Sequence, residues 1–560
     1  MTPLKRIPQS IRSSVTDLAE NWRTDAVSGF LVFLIALPLC FGIAMASGFP
    51  PMAGILSAVI GGFVVSRIGG ARLTITGPAA GLITVLFTAV HTLGEGDLFA
   101  GYRYTLAAIV VAGILQFLLG IFRAGRLATF FPAAIAHGTL AAIGIMIIAR
   151  QIHILVGAGP AVETPVQSLA HIPQSLLHYN PEIFLIGGIG LLIMFAWPLL
   201  GNKGFGRVPA PILVVLSGFI LGRAFDLNQA ELYLLSEGPE NEAWHRHVFV
   251  NTPQFLADIP DSFLDSLVFA DFSKIGTLAF WNAVLSLWLI GSLETLLVAS
   301  AVDRLDPEHR RSDLDRDLTA IGVGNTLSGL IGGMPMIAEI VRSSANVGYG
   351  ARSSWSNFFH GLFLLLFVAL FPRLIRDIPL ASLAALLVYA GYRLASPKAF
   401  AKTLDIGFEQ LALFIITIVG ILTTDLLIGV AIGIAAKLLI HRWQGVKLGN
   451  LFQLSYRIMR DTNGFRIKLN GAAIFSNFLA LKDELAELPA GETIVFDLTY
   501  ASLVDHTVME FIEHFRHDYI AAGGRCEVHG LERYDAYSDH PLAARRRKLF
   551  NWRAGRGESV

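Results

Sequence analysis

Two ionisable side chains, Glu339 and Arg342, lie inside a long apolar part of the sequence. No Asp, Glu, Lys or Arg occurs at positions 318–338 before them or at positions 353–372 after them. A charged group within a membrane costs several kcal/mol unless it lines a polar pathway or pairs with another charge. The two residues therefore predict a polar site in the middle of a membrane-embedded segment.

The sequence just before these residues interrupts a helix and allows a new one to begin. Gly332, Gly333 and Pro335 disfavour a continuous helix, and helical periodicity resumes near Ile337. A helix that begins inside a membrane points unpaired N–H groups and the positive end of its dipole at whatever lies in front of it. Arg342, about one turn into this helix, adds a full positive charge. This arrangement predicts an anion-binding site.

A third ionisable residue, Glu294, follows an uncharged run at positions 275–293. A carboxyl group in surroundings of low dielectric binds a proton more readily than one in water, so Glu294 is a candidate proton carrier. The other interpretation is a static counter-ion to Arg342. The two roles do not exclude each other.

The composition indicates the class of protein that holds these residues. Of 560 residues, 54% are hydrophobic and only 15% are charged, and the mean hydropathy is +0.58. These values are too apolar for an ordinary soluble enzyme and are typical of an integral membrane protein. The sequence contains no Walker loop, HExxH motif or GxSxG elbow, so we predict that the protein is not an enzyme.

The sequence offers little that would hold a metal or a cofactor. Cys40 and Cys526 are the only cysteines, and they are too few for a disulfide framework or a structural zinc site. His245 and His247, with Glu242, form a sparse group of a kind that is more often exposed polar surface. We predict no metal and no cofactor, and nothing in the sequence suggests a nucleic-acid partner.

Long apolar runs predict the helices that position the three ionisable residues. A polar segment at positions 1–25 is interpreted as an uncleaved cytoplasmic leader, and positions 26–442 form the membrane domain. Its runs, each near the roughly 20 residues that a bilayer requires, fall into two sets of about seven on either side of a polar region at 223–274. They lie at 26–66 (two helices with a turn at 48–51), 73–94, 104–121, 127–149, 183–200, 208–222, 277–302, 318–330, 337–347, 358–371, 378–392, 411–424 and 426–439.

The two sets resemble each other. The stretches at 69–78 and 332–335 both begin with two glycines and end with a proline. Each of them opens the third segment of its set. Because seven is odd, the second set must insert upside down relative to the first. Matched interrupted segments in inverted halves indicate a transport site at the membrane midplane. The predicted repeats span about 26–224 and about 275–442.

The charges of the loops predict the orientation. Arg67 and Arg72 lie in one even-numbered loop and Arg310 and Arg311 in another, whereas odd-numbered loops hold acidic residues such as Glu95. The excess of positive charge on one side is typical of cytoplasmic loops. We therefore expect both termini to be cytoplasmic, in a bacterial inner or plasma membrane.

The end of the chain has a different character. Positions 465–469 alternate like a strand, 493–498 predict a buried strand, and 508–519 have helical periodicity. This pattern predicts a small soluble α/β domain at 443–540. The basic tail at 541–560 either contacts anionic lipid or is simply solvated, and we favour the second interpretation.

Motifs along nearly the whole chain resemble one family, the SulP (sulfate permease) anion transporters with a C-terminal STAS domain. Their order and spacing carry the resemblance, since no single motif is decisive. The motifs are ALPL at 36–39, ASGFPPMAG at 46–54, TGPAA at 76–80, GSLETLL at 291–297, GVGN at 322–325, RSSAN at 342–346, DL at 497–498 and VDHT at 504–507.

The resemblance implies a fold and an activity. The fold would be a polytopic α-helical membrane protein with about 14 segments in two inverted repeats of seven, divided into core and gate bundles, plus a small cytoplasmic STAS domain. The activity would be secondary-active transport of sulfate, bicarbonate or a dicarboxylate by an elevator movement in a homodimer, by proton symport or by anion exchange. The alternatives are a channel-like or exchange-only anion protein of the same fold and a nucleobase-type permease.

The resemblance also implies roles for single residues in the second repeat. Arg342 falls where many relatives have an arginine near the bound anion, although a purely structural partner of an acidic residue is the alternative. Ser343 and Ser344 either donate hydroxyl groups to the substrate or bond back to their own helix. Glu339 departs from the family, and it either neutralises Arg342, weakens the binding of strongly charged anions or faces away from the site.

Other residues complete the implied site. Thr76 and the backbone amides of Ala79 and Ala80 would form the wall opposite Arg342, as the counterpart from the first repeat. Glu294 matches an acidic position of the family, but Val298 replaces the hydroxyl residue that sodium-coupled bicarbonate relatives have one turn later. This departure argues against a sodium site and favours proton coupling or exchange.

The resemblance places possible regulation in the C-terminal domain. Bacterial regulatory relatives of STAS carry a phosphorylatable serine in the loop that here holds Asp505 and Thr507. Thr507 either substitutes for that serine or belongs to an unmodified surface for a cytoplasmic partner. The expected partners of the whole chain are thus a small anion, protons, membrane lipid, a second copy of the chain and such a cytoplasmic protein.

Overall fold

The computed structural model describes residues 9–547 except 124, 126–131, 159–163, 201–208, 228–230, 235–247, 252–255, 257–265, 304, 309, 372–375, 425, 462–463, 487, 490 and 522. The predicted group of Glu242, His245 and His247 lies outside the described residues, as do part of the leader and part of the basic tail. The chain divides into two compact units, one of residues 1–128 with 143–394 and the other of residues 129–142 with 395–560.

The first unit is helical. Its helices are α1 (Gln9–Ala46), α2 (Pro51–Ile60), α3 (Ile83–Gly94), α4 (Leu98–Ile121), α5 (Ala133–Leu155, whose first part belongs to the second unit), α6 (Pro165–Leu177), α7 (Pro181–Ala196), α8 (Ala210–Ala224), α9 (Leu278–Asp303), α10 (Leu314–Ile331), α11 (Ile340–Gly348), α12 (Trp355–Leu370) and α13 (Leu380–Leu394). A π-helical stretch at Gly61–Val65 continues α2, and a 3₁₀ turn at Ala80–Leu82 leads into α3.

The lengths of these helices fit a membrane protein. Among the described residues, five helices are long and apolar enough to cross a membrane: Thr16–Ala46, Pro51–Ile68, Leu98–Ile121, Ala133–Leu155 and Leu278–Asp303. Helices α6 and α7 form a further pair with a bend of 117° between them, and several shorter apolar helices accompany these spans. The chain is therefore a polytopic α-helical membrane protein, as predicted. Helix α6 was missed because its sequence mixes polar and apolar residues.

Side-chain caps fix where several of these helices begin. The carboxylate of Asp97 accepts the Ala100 amide at the start of α4, and Asp313 caps α10 through Arg316 N–H. Asn180 accepts the first two free amides of α7. Such caps satisfy N–H groups that have no partner within the helix.

Two short extended segments meet in the middle of the first unit. Strand β1 (Thr76–Pro78) pairs antiparallel with β4 (Met336–Ala338), in the register Thr76↔Ala338 and Pro78↔Met336. The predicted break before Arg342 is thus present, but helix α11 begins at Ile340 rather than near Ile337. The physical reason is that extended backbone away from water must pair its polar groups, and each segment supplies the partner for the other. A second pair, β2 (Glu231–Leu234) and β3 (Val248–Asn251), lies in the polar region between the repeats.

The second unit combines helices of the membrane type with an α/β domain. Helices α14 (Pro397–Ile406), α15 (Phe408–Thr423) and α16 (Leu426–Trp443) precede β5 (Ser455–Asp461), β6 (Gly464–Ala473), α17 (Leu479–Ala486), β7 (Thr493–Val504), α18 (His506–Ala521), β8 (Arg525–His529), β9 (Tyr534–Ala536) and β10 (Arg545–Arg547). The strands form one sheet in the order β5-β6-β7-β10-β9, with β8 also paired to β7. The predicted strands and helix of this domain are confirmed.

A buried polar group joins the α/β domain to α16 within the second unit. Asp505 is fully buried, and its carboxylate accepts the amides of Val508 (2.9 Å) and Phe475 (3.0 Å). Its Oδ2 lies 3.4 Å from Nε2 of His441, one turn after the fully buried Lys437. Burial acts to raise the pKa of Asp505, but the contact with His441 and the charge of Lys437 outweigh it, and the pKa lies below its ordinary value.

We expect the substitution Asp505→Asn to weaken this junction. The asparagine keeps one acceptor oxygen but turns an NH₂ group toward a backbone N–H, and such a loss costs about 1–3 kcal/mol. Peptide-resolved hydrogen exchange of the full chain should show faster exchange at Phe475 and Val508. Because the folded-state pKa is depressed, the carboxylate contributes stability above the unfolded pKa of about 4 and loses it as the pH falls further.

The difference between parent and variant should accordingly shrink at the acid end of the pH range. Asp518→Asn is the matched control, because Asp518 lies on α18, the helix that begins directly after Asp505, and its side chain is 48% exposed. Equal exchange in the parent and the Asp505→Asn variant at neutral pH would contradict the assigned capping role.

Candidate anion site

Two asparagines hold the crossing of β1 and β4 in place. Asn325 of α10 accepts a hydrogen bond from the Met336 amide (2.6 Å) and donates one to the carbonyl of the same residue (3.2 Å). Its side chain thus makes the two backbone hydrogen bonds with β4 that a neighbouring strand would make. Asn357 of α12 donates to Thr76 Oγ1 (2.9 Å) and accepts the Thr76 amide (3.4 Å), and thereby holds β1. Both strands therefore have fixed positions, and so do the helices that follow them.

Arg342 lies in the first turn of α11 and is only 1% exposed. Its Nε, Nη1 and Nη2 atoms have no hydrogen-bond partner among the described residues. The guanidinium group packs so closely on Gly77 that a Cβ atom there would collide with Nη1. A buried guanidinium without acceptors is costly, because its N–H groups have lost their water and gained no hydrogen bond in return.

Glu294 lies in α9, is 5% exposed, and also has no hydrogen-bond partner for either carboxylate oxygen among the described residues. Its carboxylate packs against Gly81, where a Cβ atom would overlap it. Gly81 belongs to the 3₁₀ turn at Ala80–Leu82 that leads into α3, and the two together are called the first half-helix. The Glu294 side chain thus extends from α9 to the start of this half-helix, and only glycine at position 81 leaves room for its carboxylate.

Glu339 connects the two groups. It occupies the N-cap position of α11 but does not cap its own helix; instead its Oε1 accepts the Ala80 amide at 3.3 Å. It lies close enough to Arg342 and to Glu294 to interact electrostatically with both. Of the three roles left open for this residue, facing away from the site is not what the structure shows.

The structure gives the other predicted site residues partners within the protein. Thr76 is held by Asn357, and the Ala79 amide donates to the Pro335 carbonyl (3.1 Å). The Oγ of Ser343 accepts the Ile75 amide (2.9 Å), so Ser343 ties α11 to the first repeat. These residues surround the crossing but serve to brace it.

Two further predictions concern neighbouring side chains. Ser344 bonds back to the Ile340 carbonyl (2.7 Å), which was one of the two open interpretations for the serines. Val298 packs against a small apolar cluster of Leu73, Val302 and Ala351. An apolar contact at position 298 leaves no hydroxyl ligand there, in line with the argument against a sodium site.

Sequence reasoning missed the polar residues that support the site. Gln116 of α4 accepts from the Asn325 amide group (2.6 Å), and Asn346 donates to the Leu73 carbonyl (2.9 Å) and to Ser356 Oγ (2.8 Å). Each is a polar residue in a membrane-type helix, and this was the available signal. Asn325 and Asn346 are the last residues of the GVGN and RSSAN motifs, but the motifs give them no individual role.

The model of the Sulfate permease family matches residues 22–419, well over half of the chain. The chain belongs to the sulfate permease family. It is therefore a membrane transporter of a family of anion transporters and is not an enzyme.

Individual relatives and solved structures agree with this family. The putative sulfate transporter YvdB of Bacillus subtilis is 28% identical over 74% of this chain and 72% of its own length. The bicarbonate transporter BicA of Picosynechococcus sp. is 24% identical over 93% of this chain and 92% of its own length. The structure of the transmembrane domain of a cyanobacterial BicA covers 74% of this chain and 97% of its own, with a TM-score of 0.59 at 21% identity. A structure of SLC26A9 covers 91% of this chain and 84% of its own, with a TM-score of 0.65 at 15% identity.

These structural likenesses support the fold of a sulfate permease family member. They bear on its architecture alone, since both identities are below 25%. The family model ends before the α/β domain, so the STAS assignment of that domain stays a prediction.

Proposed function

We propose that this member of the sulfate permease family is a secondary-active transporter that carries a small oxyanion together with a proton, or exchanges one anion for another. The observation that carries the proposal is the Arg342 guanidinium, which is 1% exposed and has no hydrogen-bond partner for its nitrogen atoms among the described residues. Sulfate, bicarbonate and dicarboxylates all present two or more oxygen atoms to such a fork.

The α11 helix adds to the attraction for an anion. Its first amides have no acceptor within the helix, and the Glu339 side chain does not cap them. The N-terminus of the helix also carries the positive end of its dipole. Arg342, in the first turn of the same helix, lies where an anion would receive both kinds of donor.

The charges around the crossing support coupling to protons. Arg342 contributes one positive charge, whereas Glu294 and Glu339 contribute two negative charges when both are ionised. An anion then meets a site with net negative charge, and its binding becomes more favourable when a carboxylate takes up a proton. We propose Glu294 as the proton carrier, because both of its oxygens are free of partners among the described residues.

The substrate stays open between chemical classes. Sulfate offers only acceptors, so it fits Arg342 with a protonated Glu294. Bicarbonate also carries one hydroxyl donor, which an ionised Glu294 would accept. Relatives of this chain bear both names, a putative sulfate transporter and a bicarbonate transporter.

Several further features stay predictions. They are the elevator movement, the homodimer, the contacts with membrane lipid, and the cytoplasmic position of both termini in a bacterial inner or plasma membrane. Regulation at Asp505 and Thr507 by a cytoplasmic partner is likewise proposed. Because Asp505 is fully buried, any such regulation must act through Thr507 or through the junction with α16.

The test is transport by the purified chain in liposomes. Uptake of labelled sulfate, bicarbonate and succinate is measured with and without an inward proton gradient, with uracil as a probe for the nucleobase alternative. We expect accumulation of one anion that increases with the gradient. Uptake of uracil but of none of the anions would refute the proposal. Anion exchange that does not respond to the proton gradient would refute proton coupling and leave anion exchange as the activity.

A further inference from the structure

The carboxylate of Glu339 occupies a position that suits the substrate. Glu339 precedes α11, but its carboxylate accepts the first amide, that of Ala80, of the half-helix in the first repeat, which runs from Ala80 to Gly94. Such an N-terminus attracts anions through its free N–H groups and its dipole. A side chain from the second repeat therefore fills the anion position that the first repeat provides.

This carboxylate is incompletely bound. Its contact with Ala80 is long, at 3.3 Å, whereas hydrogen bonds to carboxylates are usually about 2.7–2.9 Å. Arg342 lies within electrostatic reach of Glu339 on the same helix, yet its nitrogens have no hydrogen-bond partner among the described residues. A permanent ion pair of arginine and carboxylate would normally be bidentate. Glu339 and Arg342 thus lie near each other with no hydrogen bond between them.

We propose that Glu339 is a tethered competitor of the transported anion. With no substrate bound, its carboxylate occupies the Ala80 amide at the start of the first half-helix. The incoming anion takes the same position beside Arg342, and Glu339 leaves when it is displaced or takes up a proton. This inference rests on the proposed function, because it concerns the same site.

The ionisable groups around Glu339 define how pH enters. Arg342 on α11 attracts its carboxylate, and Glu294 on α9 repels it. Cys40 on α1 also lies near both Glu339 and Arg342, and His360 on α12 lies within electrostatic range of Arg342. Because two carboxylates lie within electrostatic range of each other and of one cation, one bound proton removes a negative charge from the position that the anion must enter.

The inference predicts tighter anion binding when the competitor is neutral. Sulfate affinity is measured from the rise in unfolding temperature with sulfate concentration, which reports binding without requiring transport. Sulfate stays a dianion from pH ~6 to ~8, so a pH effect on its affinity belongs to the protein. For Glu339→Gln we expect a sulfate affinity about tenfold higher at pH ~8, a factor that corresponds to a shift of about one pKa unit. We also expect the sulfate affinity of this variant to change less between pH ~6 and pH ~8 than that of the parent.

A matched control and a second variant accompany this measurement. Glu95→Gln makes the same change at the far end of the same half-helix, where the side chain is 71% exposed and pairs with Lys274, and it should leave the affinity unchanged. Glu339→Asp keeps the charge but is too short to reach Ala80. Glu339→Asp should therefore raise the sulfate affinity as well, but by less than Glu339→Gln. It also replaces the glutamine variant as the test if that variant does not fold.

The outcomes separate this inference from the proposed function. Tighter sulfate binding in the Glu339 variants supports it even if the parent shows no uptake, in which case only the transport proposal fails. Equal affinities and equal pH responses in the parent and both variants, or no sulfate binding to any of them, would overturn the inference.

Discussion

Replacing Arg342 by glutamine should reduce anion uptake by about a hundredfold or more. Loss of a buried charged hydrogen-bond donor to a bound anion costs about 2–5 kcal/mol, and each 1.4 kcal/mol is a factor of about ten. Arg342→Lys should recover only part of the activity, because lysine keeps the charge but lacks the planar fork. The measurement is initial uptake into liposomes over a range of anion concentrations.

The stability of these variants distinguishes a binding role from a structural one. Arg342 has no hydrogen bond to lose among the described residues, and burying its charge is costly, so the glutamine variant should unfold within a few degrees of the parent. A large fall in unfolding temperature together with the loss of uptake would show instead that Arg342 is a structural partner of the neighbouring carboxylates.

Replacing Glu294 by glutamine should abolish the dependence of uptake on the proton gradient. Glutamine has nearly the same shape but cannot take up and release a proton, so accumulation against a gradient should cease. Exchange of one anion for another should continue, since Arg342 and the α11 helix are intact. Uptake and counterflow in the same liposomes measure the two activities separately.

A second variant tests the position of Glu294 rather than its charge. Gly81→Ala places a methyl group where the Glu294 carboxylate lies, and it should impair gradient-driven uptake as strongly as Glu294→Gln. Gly188→Ala is the control, because a Cβ atom at that helical glycine meets nothing within 4 Å. Gradient-driven accumulation that persists in the Glu294→Gln variant would assign Glu294 a structural role.

Local sequence features predicted much of the second repeat. The glycines and Pro335 marked the break before α11, and the absence of charge around Glu294 and Arg342 marked both as buried. These features are readable because the cost of burying a charge and the conformations of glycine and proline are properties of single residues. The α/β domain could also be predicted from local sequence, because strands and helices have different periodicities of apolar residues.

The partners of the polar residues were not readable in this way. Ser343 was expected either to contact substrate or to bond to its own helix, but it accepts the amide of Ile75 from the other repeat. The Ala79 amide was expected to face an anion, but it donates to the Pro335 carbonyl. Each contact joins residues more than 250 positions apart, and a local pattern carries no information about such pairs.

The sequence by itself determined that this is a polytopic membrane protein with two interrupted half-helices, three ionisable groups inside the membrane and a C-terminal α/β domain. Composition, helix-breaking residues and periodicity are local quantities, and they suffice for this. Only the tertiary structure decided that β1 pairs with β4, that Glu339 reaches the Ala80 amide, and that Arg342 is left without a partner among the described residues. These facts depend on how the helices of two repeats pack together, because that packing alone sets which buried polar groups find partners.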